Sequence, residues 1–205
     1  MRTYSGRKKR QDGVLSERLR DMTQGIRAPI ARMLGRLGLT PNSLTILGYL
    51  LNLPVMYVLA TGRLRLGGVL VALASAFDAL DGALARETQQ TSTFGAFFDS
   101  VMDRFSEATV LLGLLLWYLR TGARLEPVLI YLTMVGSLMV SYNRARAEGL
   151  GLQCKTGLLT RFERVTLLVV ALVVGQVRPA LWLLAVLTNL TAVQRIYHVW
   201  QITKE

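Results

Sequence analysis

Six apolar segments dominate the pattern of hydrophobic and polar positions along the chain. They occupy residues 43–60, 66–85, 95–119, 127–147, 165–177 and 179–200. A transmembrane helix needs about 20 mostly apolar residues, and the fifth segment reaches that length only if its helix begins near Arg161. The pattern predicts an all-α, polytopic membrane protein with six transmembrane helices, connected by short polar turns.

A different periodicity precedes the first apolar segment. Apolar side chains recur there at steps of three or four, with Arg and Asp on the opposite face, as in a helix lying in the headgroup plane. The alternative is a cytosolic helix packed on another domain, but the sequence encodes no such domain. The chain therefore divides into residues 1–40, a basic tail with a cytoplasmic amphipathic juxtamembrane helix, and residues 41–205, a six-helix membrane domain. The apolar positions are Leu15, Leu19, Met22, Ile26, Ile30, Met33, Leu34 and Leu37.

Charge adds an orientation to this picture. The 205 residues include 24 Lys and Arg against 13 Asp and Glu, and 52% of residues are hydrophobic. With a cytoplasmic N-terminus, few basic residues fall on the outer side, so the positive-inside rule predicts a cell (inner) membrane protein with both termini cytoplasmic. Basic residues tied to membrane boundaries argue against a nucleic-acid partner and for anionic lipids or phosphorylated substrates. The outer basic residues are Arg63, Arg65, Arg120, Arg124 and Arg178.

Four aspartates lie in a stretch otherwise rich in Ala, Leu, Gly and Phe. Asp78 and Asp81 are three residues apart at the end of the second segment, and Asp99 and Asp103 are four apart at the start of the third. Each pair therefore occupies one helical face. Because the polar connection between the two segments is short, the helices are expected to be antiparallel neighbours. The four carboxylates should then converge near the cytoplasmic surface.

Converging carboxylates repel one another unless they are protonated or bound to a cation. Oxygen ligands without Cys or His suit Mg²⁺, Mn²⁺ or Ca²⁺, and such ions usually also hold phosphate oxygens. Gly82 and Gly95, close to these aspartates, have no side chains. The free space either admits a bulky ligand or permits close helix packing. Arg86, one turn beyond Gly82, can meet a phosphate or a carboxylate.

These residues carry a family resemblance. The pattern Asp78-x-x-Asp81-Gly82-x-x-Ala85-Arg86, eight residues, then Gly95-x-x-x-Asp99-x-x-x-Asp103 resembles the complete signature of the CDP-alcohol phosphotransferase family. The resemblance implies a six-helix membrane fold with an amphipathic N-terminal helix, often dimeric. It also implies transfer of a phosphatidyl-type group from CDP-diacylglycerol, or an ether analogue, to an alcohol, with release of CMP.

The resemblance assigns roles to individual residues. Asp78, Asp81, Asp99 and Asp103 would bind Mg²⁺ or Mn²⁺, and Asp103 would also act as the general base. Asn42 and Thr45, in the sequence "TPNSLT", would lie beside the nucleotide. The full set of implied CDP-lipid contacts is Asn42, Thr45, Gly82, Arg86 and Ser92.

A second polar cluster, between the fourth and fifth segments, bears on the alcohol acceptor. Its basic residues can bind a second anion, or can serve only to set topology and contact anionic lipid. The pattern of Ser141, Arg144, Arg161 and Arg164 resembles the branch of the family that makes phosphatidylinositol phosphate from inositol phosphate. On that resemblance these four residues, with Arg195, would hold the acceptor phosphate.

The leading hypothesis is therefore a phospholipid-biosynthetic enzyme that uses inositol 1-phosphate (1D-myo-inositol 3-phosphate). A phosphatidylglycerophosphate synthase, using glycerol 3-phosphate, is the first alternative within the family. From another class, a divalent-cation channel or carrier would also place carboxylates in the membrane, but across its depth.

Two local expectations remain. Glu107 lies inside the third segment and needs a basic partner, for which Arg104 and Arg144 are candidates. The first helix is expected to begin with Asn42 or Ser43 as its N-cap.

Overall fold

Long helices make up the part of the chain that the structure describes. The structure is a computed structural model and describes residues 29, 33–36, 38–154 and 156–204. No β-strand occurs in these ranges, which confirms the all-α class. The long helices are α1 Pro41–Ala60, α2 Leu64–Glu87, α3 Thr93–Arg120, α4 Leu125–Gly149, α5 Arg161–Val174 and α6 Val177–Ile202.

The helix starts follow side-chain caps. Thr40 caps α1, because its hydroxyl accepts from the Ser43 backbone N–H at 3.2 Å while the Ser43 hydroxyl accepts from the Thr40 N–H at 3.0 Å. The expected N-cap, Asn42 or Ser43, was thus two or three residues too late, since Pro41 occupies the first helical turn instead of preceding the cap. At α5 the same reciprocal arrangement joins Thr160 and Glu163.

The fifth helix ends earlier than predicted. It begins at Arg161, as its length required, but stops at Val174 because Gly175 adopts a left-handed conformation with φ of 83°. Its 14 residues span about 21 Å at 1.5 Å per residue. The other helices extend slightly beyond their predicted segments.

Within the described ranges, four helices, α1, α2, α4 and α6, are long and apolar enough to cross a membrane. The remaining helices, α3 and α5, do not meet this description, each for a different reason. The first half of α3 carries Asp99, Asp103, Arg104 and Glu107, whereas α5 is short. Large apolar side chains on the outer faces, such as Leu73, which is 62% exposed, are suited to lipid contact.

The six helices form a closed ring. In order of packing, α1 contacts α2, α2 contacts α5, α5 contacts α6, α6 contacts α4, α4 contacts α3, and α3 returns to α1. Leu59, Leu114, Leu172 and Leu181 are fully buried within the ring and belong to one apolar core. The ring brings the end of α2, the start of α3 and the start of α5 together.

Glycines permit two of these contacts. A Cβ on Gly113 of α3 would lie 2.6 Å from the Met56 carbonyl oxygen of α1, and one on Gly136 of α4 would lie 2.8 Å from the Asn189 amide of α6. Small residues of this kind let helix backbones approach closely in membranes. The contact at Gly113 sets the spacing between α1 and α3.

The predicted amphipathic juxtamembrane helix lies outside the described residues except at its end. Residues 33–36 are helical, and Leu34 packs on a small apolar cluster formed by Leu44, Ala83 and Leu84. This end of the predicted helix therefore contacts the last turns of α2.

Candidate active site

Three of the four predicted metal ligands converge. Oxygen atoms of Asp78, Asp99 and Asp103 lie within 4.8 Å of one another. Asp78 comes from the last turns of α2, and the other two come from the first turns of α3. The prediction that these two helices are neighbours was wrong, because α1 packs between them in the ring. The carboxylates nevertheless converge where α2 ends and α3 begins, as predicted.

The fourth aspartate, Asp81, lies beside the cluster with partners of its own. It is only 8% exposed, and its carboxylate accepts a 2.7 Å hydrogen bond from the Thr45 hydroxyl of α1 and another from the Gly82 backbone N–H. These two donors fix the Asp81 carboxylate between α1 and α2.

Arg161, the first residue of α5, joins the cluster from the opposite side. Its Nη2 donates to Asp78 Oδ2 at 2.9 Å, and its Nη1 lies 2.6 Å from Asp103 Oδ1. Arg104 Nη1 lies 3.4 Å from the other Asp103 oxygen. The guanidinium of Arg161 therefore bridges the carboxylates of α2 and α3, and partly balances their charge.

A pocket of about 220 Å³ opens beside Asp81 and Asp99. It lies between the start of α1, the end of α2 and the start of α3. A concavity lined by two carboxylates, Asp81 and Asp99, and by the Arg86 guanidinium suits a ligand that carries phosphates together with a metal ion. All five predicted CDP-lipid contacts, Asn42, Thr45, Gly82, Arg86 and Ser92, line this pocket.

Glycines shape this pocket in two ways. A Cβ on Gly82 would meet only the Arg86 guanidinium, at 3.5 Å, so the missing side chain leaves open space instead of a helix contact. A Cβ on Gly95 would lie 3.0 Å from the Ser92 hydroxyl and 3.3 Å from the Asn42 side chain. Gly82 thus keeps the pocket open, and Gly95 lets α3 start close to α1.

The predicted acceptor-phosphate residues do not form one cluster, and each contacts different partners. Arg161 lies in the carboxylate cluster. Arg144 is exposed on α4 and pairs with Glu148 at 2.8 Å, three residues beyond the half-buried Ser141.

Arg195 is buried on α6 and binds backbone. Its Nε donates to the Thr156 carbonyl at 2.9 Å and its Nη1 donates to the Val140 carbonyl. Arg195 therefore ties the connection before α5 to α4, next to Ser141.

Arg164 has a carboxylate partner that local spacing did not reveal. It is 4% exposed, and its Nε and Nη2 donate to the two oxygens of Glu107 at 2.9 and 3.0 Å. The Ser137 hydroxyl of α4 donates to the same carboxylate at 2.8 Å. The partner of Glu107 is thus Arg164, whereas the sequence suggested Arg104 or Arg144.

A small chamber lies inside the ring, below the cluster. Its volume is about 40 Å³, and residues of all six helices line it. Asp78 and Arg161 border it, as do Glu107 and Arg164. The chamber is large enough for two or three water molecules, at roughly 10–15 Å³ each.

The cluster fits a hard divalent cation. Three carboxylates from two helices offer oxygen donors at short mutual distances, without any Cys or His ligand among them. The predicted channel, by contrast, would distribute carboxylates over the membrane depth, whereas these lie at one end of the ring. The site is therefore suited to a metal-assisted reaction on a phosphorylated ligand.

Sequence comparison identifies the family to which these features belong. Residues 38–197 match the CDP-alcohol phosphatidyltransferase family over most of the chain. The chain belongs to this family. It is therefore a CDP-alcohol phosphotransferase.

Named relatives refine the comparison. The chain is 40% identical to the archaetidylinositol phosphate synthase of Pyrococcus horikoshii over 169 residues, covering 82% of this chain and 87% of that protein. It is 38% identical to the phosphatidylinositol phosphate synthase of Mycobacterium tuberculosis over 187 residues, covering 85% and 86%.

Solved structures of the M. tuberculosis phosphatidylinositol phosphate synthase share the fold. The crystal structure with CDP-DAG bound superposes with a TM-score of 0.82 at 36% identity, covering 85% of this chain and 94% of that one. The complex with manganese and citrate gives 0.80 at 35% identity, covering 85% and 88%.

Proposed function

We propose that this CDP-alcohol phosphotransferase transfers the phosphatidyl group of CDP-diacylglycerol to inositol 1-phosphate (1D-myo-inositol 3-phosphate), giving phosphatidylinositol phosphate and CMP. The observation that carries the proposal is the Arg161 guanidinium, which lies against the carboxylate cluster. Asp99 of that cluster also lines the pocket of about 220 Å³, the proposed nucleotide pocket. A cation beside the cluster suits an acceptor that brings its own phosphate. The names of the relatives favour inositol phosphate as that acceptor.

The carboxylates would have two roles, metal binding and proton transfer. Asp78, Asp81, Asp99 and Asp103 would hold Mg²⁺ or Mn²⁺, which would neutralise the pyrophosphate and the departing CMP. Asp103 would take the proton of the acceptor hydroxyl as that oxygen attacks the lipid-linked phosphorus, and the bond from this phosphorus to the CMP oxygen would break. Asp103 is suited to both roles because it comes from the helix that faces Arg161.

The nucleotide pocket would hold the donor. Asn42 and Thr45 on α1 would contact the nucleotide, Gly82 would allow it close to the backbone, and Arg86 would meet its phosphates. Ser92, the N-cap of α3, would close the pocket on the side of the connection between α2 and α3. The Thr45 hydroxyl would also keep Asp81 oriented toward the metal.

The acceptor phosphate would bind mainly to Arg161. Ser141, Arg144 and Arg195 would approach it from α4 and α6, where Arg195 already contacts the backbone beside Ser141. Arg164 was predicted for the same role, which would require it to leave Glu107. We therefore propose that Arg161 contributes more than Arg164 to binding the acceptor phosphate.

In the membrane, we propose that all six helices span the bilayer, with α3 and α5 completing the four apolar ones. The charge distribution of the sequence supports cytoplasmic termini and a site at the cytoplasmic face of the cell membrane. The family resemblance supports a homodimer, which cross-linking in native membranes would reveal as a doubled mass.

The test is CMP release from CDP-diacylglycerol with a panel of acceptors. Purified protein in detergent should release CMP with inositol phosphate and with Mg²⁺ or Mn²⁺ present, and should stop when EDTA is added. Faster release with glycerol 3-phosphate would replace the proposed acceptor by the first alternative. No CMP with any phosphorylated or free alcohol would overturn the assignment.

A further inference from the structure

Glu107 lies one helical turn beyond Asp103 on α3, outside the family signature. We propose that Glu107 is a positioning residue for the acceptor: through Arg164 it sets the rotation of α5, and so directs Arg161 toward the acceptor phosphate. The proposal rests on the proposed function of Arg161.

The geometry of Glu107 favours a positioning role. One carboxylate accepts three hydrogen bonds, two from Arg164 on α5 and one from Ser137 on α4. A bidentate contact between a carboxylate and a guanidinium constrains the relative orientation of the two groups as well as their distance. Glu107 therefore fixes α5 relative to α3 and α4, although α3 and α5 are not neighbours in the ring.

The two arginines of α5 act on consecutive turns of α3. Arg161 meets Asp103, and Arg164, three residues later, meets Glu107, four residues after Asp103. Residues at these spacings share one helical face. Any rotation of α5 that breaks the second contact therefore also moves the first.

Packing alone does not hold this end of α5. Arg161, Arg164, Val165 and Leu168 border the chamber inside the ring, and apolar packing on the core begins only at Val165 and Leu168. Arg161 is also the first residue of its helix, so no preceding turn supports it. The direction of the Arg161 side chain therefore depends mainly on ion pairs and hydrogen bonds.

A buried ion pair can instead serve only for folding, since removing one partner leaves the other charge buried and unpaired. The two roles differ in what they change. A folding role alters the amount and stability of active enzyme. A positioning role raises the KM for the acceptor and leaves the KM for the CDP-lipid nearly unchanged.

The experiment compares Glu107→Gln and Ser137→Ala with Glu126→Gln. Glu126 pairs with Arg178 at 3.3 Å, away from the cluster, and so matches the loss of a paired carboxylate. Glu107→Gln should raise the acceptor KM about tenfold, Ser137→Ala about threefold, and Glu126→Gln less than about twofold. All three should leave the KM for CDP-diacylglycerol within about twofold of wild type.

A double-mutant cycle with Arg161→Ala decides whether the effect runs through Arg161. If it does, Glu107→Gln should raise the acceptor KM less than about twofold in the Arg161→Ala background. An equal rise in both backgrounds overturns the proposal, as does a lower thermal midpoint with an unchanged acceptor KM. If Glu107→Gln does not fold, Ser137→Ala decides the cycle by the same criteria.

Measurements on the wild-type enzyme distinguish failure of this proposal from failure of the proposed function. If it prefers another phosphorylated alcohol in the acceptor panel, the inositol phosphate assignment fails. The cycle is then measured with the preferred acceptor, and its outcome still judges Glu107.

Discussion

Asp78 and Asp81 lie one helical turn apart on α2, yet their carboxylates have different neighbours. Asp78 binds the Arg161 guanidinium, whereas Asp81 accepts from the Thr45 hydroxyl. In the proposed site, the first would face the acceptor and the second lines the nucleotide pocket. One helical turn of α2 would therefore separate the two substrates.

The Thr45 hydroxyl supplies the first residue-scale prediction. Thr45→Val keeps the shape of the side chain but removes the 2.7 Å hydrogen bond to the buried Asp81. Loss of such a bond costs about 1–3 kcal/mol, so the KM for CDP-diacylglycerol should rise by about fivefold to 150-fold. Steady-state CMP release at a saturating acceptor concentration measures this.

Two variants control that prediction. Thr45→Ser restores the hydroxyl and should bring the KM back toward the wild-type value. Thr188→Val removes an equally buried hydroxyl, which donates within its own helix to the Leu184 carbonyl at 2.7 Å. An equal KM increase in Thr188→Val would show that Thr45 has no specific role.

At this scale the sequence predicted the carboxylates and the pocket better than the charge pairs. Aspartates at steps of three and four share one helical face, and the short connection between α2 and α3 keeps the two pairs close although α1 packs between these helices. The partner of Glu107 is 57 residues away in the chain, on a helix that is not adjacent to α3 in the ring. No periodicity within one helix indicates such a contact, and it follows only from the order in which the helices pack.

At the scale of the elements, the packing of α1 on α3 supports the nucleotide pocket from a distance. Both helices begin at the pocket, and they also pack on each other at Gly113, about five turns further along α3. A side chain at Gly113 would push Met56 away and separate the two helices. The spacing of their first turns, between which the pocket lies, should then change.

Gly113→Ala tests this helix contact. The new Cβ would lie 2.6 Å from the Met56 carbonyl oxygen, so we expect a loss of about 1–3 kcal/mol in stability and a higher KM for the CDP-lipid. Thermal unfolding in detergent and CMP release measure the two effects. Gly149→Ala is the matched control, because nothing lies within 4 Å of a Cβ there.

An unchanged thermal midpoint in Gly113→Ala would contradict the proposed close approach. A decrease that Gly149→Ala shares equally would point to helix propensity instead of packing.

The elements themselves were largely predictable. Apolar runs bounded by turns gave the six helices with small errors at their ends, because burial in lipid or core selects the same side chains over the whole length. The predicted end of α5 was wrong because Gly175 stops the helix, whereas the predicted apolar segment continues to Val177. The order of packing around the ring was not predictable, since every helix has apolar residues on several sides.

At the scale of the whole molecule, the ring places the helix connections at two opposite ends. If all six helices span the bilayer, the connections after α1, α3 and α5 share one side of the membrane. Those after α2 and α4 share the other side with the aspartates. The single cysteine, Cys154, is fully buried, which makes cysteine labelling a clean probe.

Single cysteines therefore test the topology. Arg124→Cys and Gln176→Cys, introduced with Cys154→Ser, should react with a membrane-impermeant maleimide added to intact cells. Leu150→Cys and Thr203→Cys should react only after the membrane is opened. All four positions are exposed in the structure. Reaction at Leu150→Cys in intact cells would reverse the proposed orientation.

The closed ring also constrains how the protein is made. During synthesis α1, α2 and α3 leave the ribosome first, bringing the aspartates into the membrane before the arginines of α5. The nascent site then carries excess negative charge, which is costly in a bilayer. Arg161 and Arg164 arrive with α5, which packs on α2, and α6 then closes the ring between α5 and α4. Neutralisation of the acidic centre and closure of the bundle would therefore be the last two steps of biogenesis, in that order.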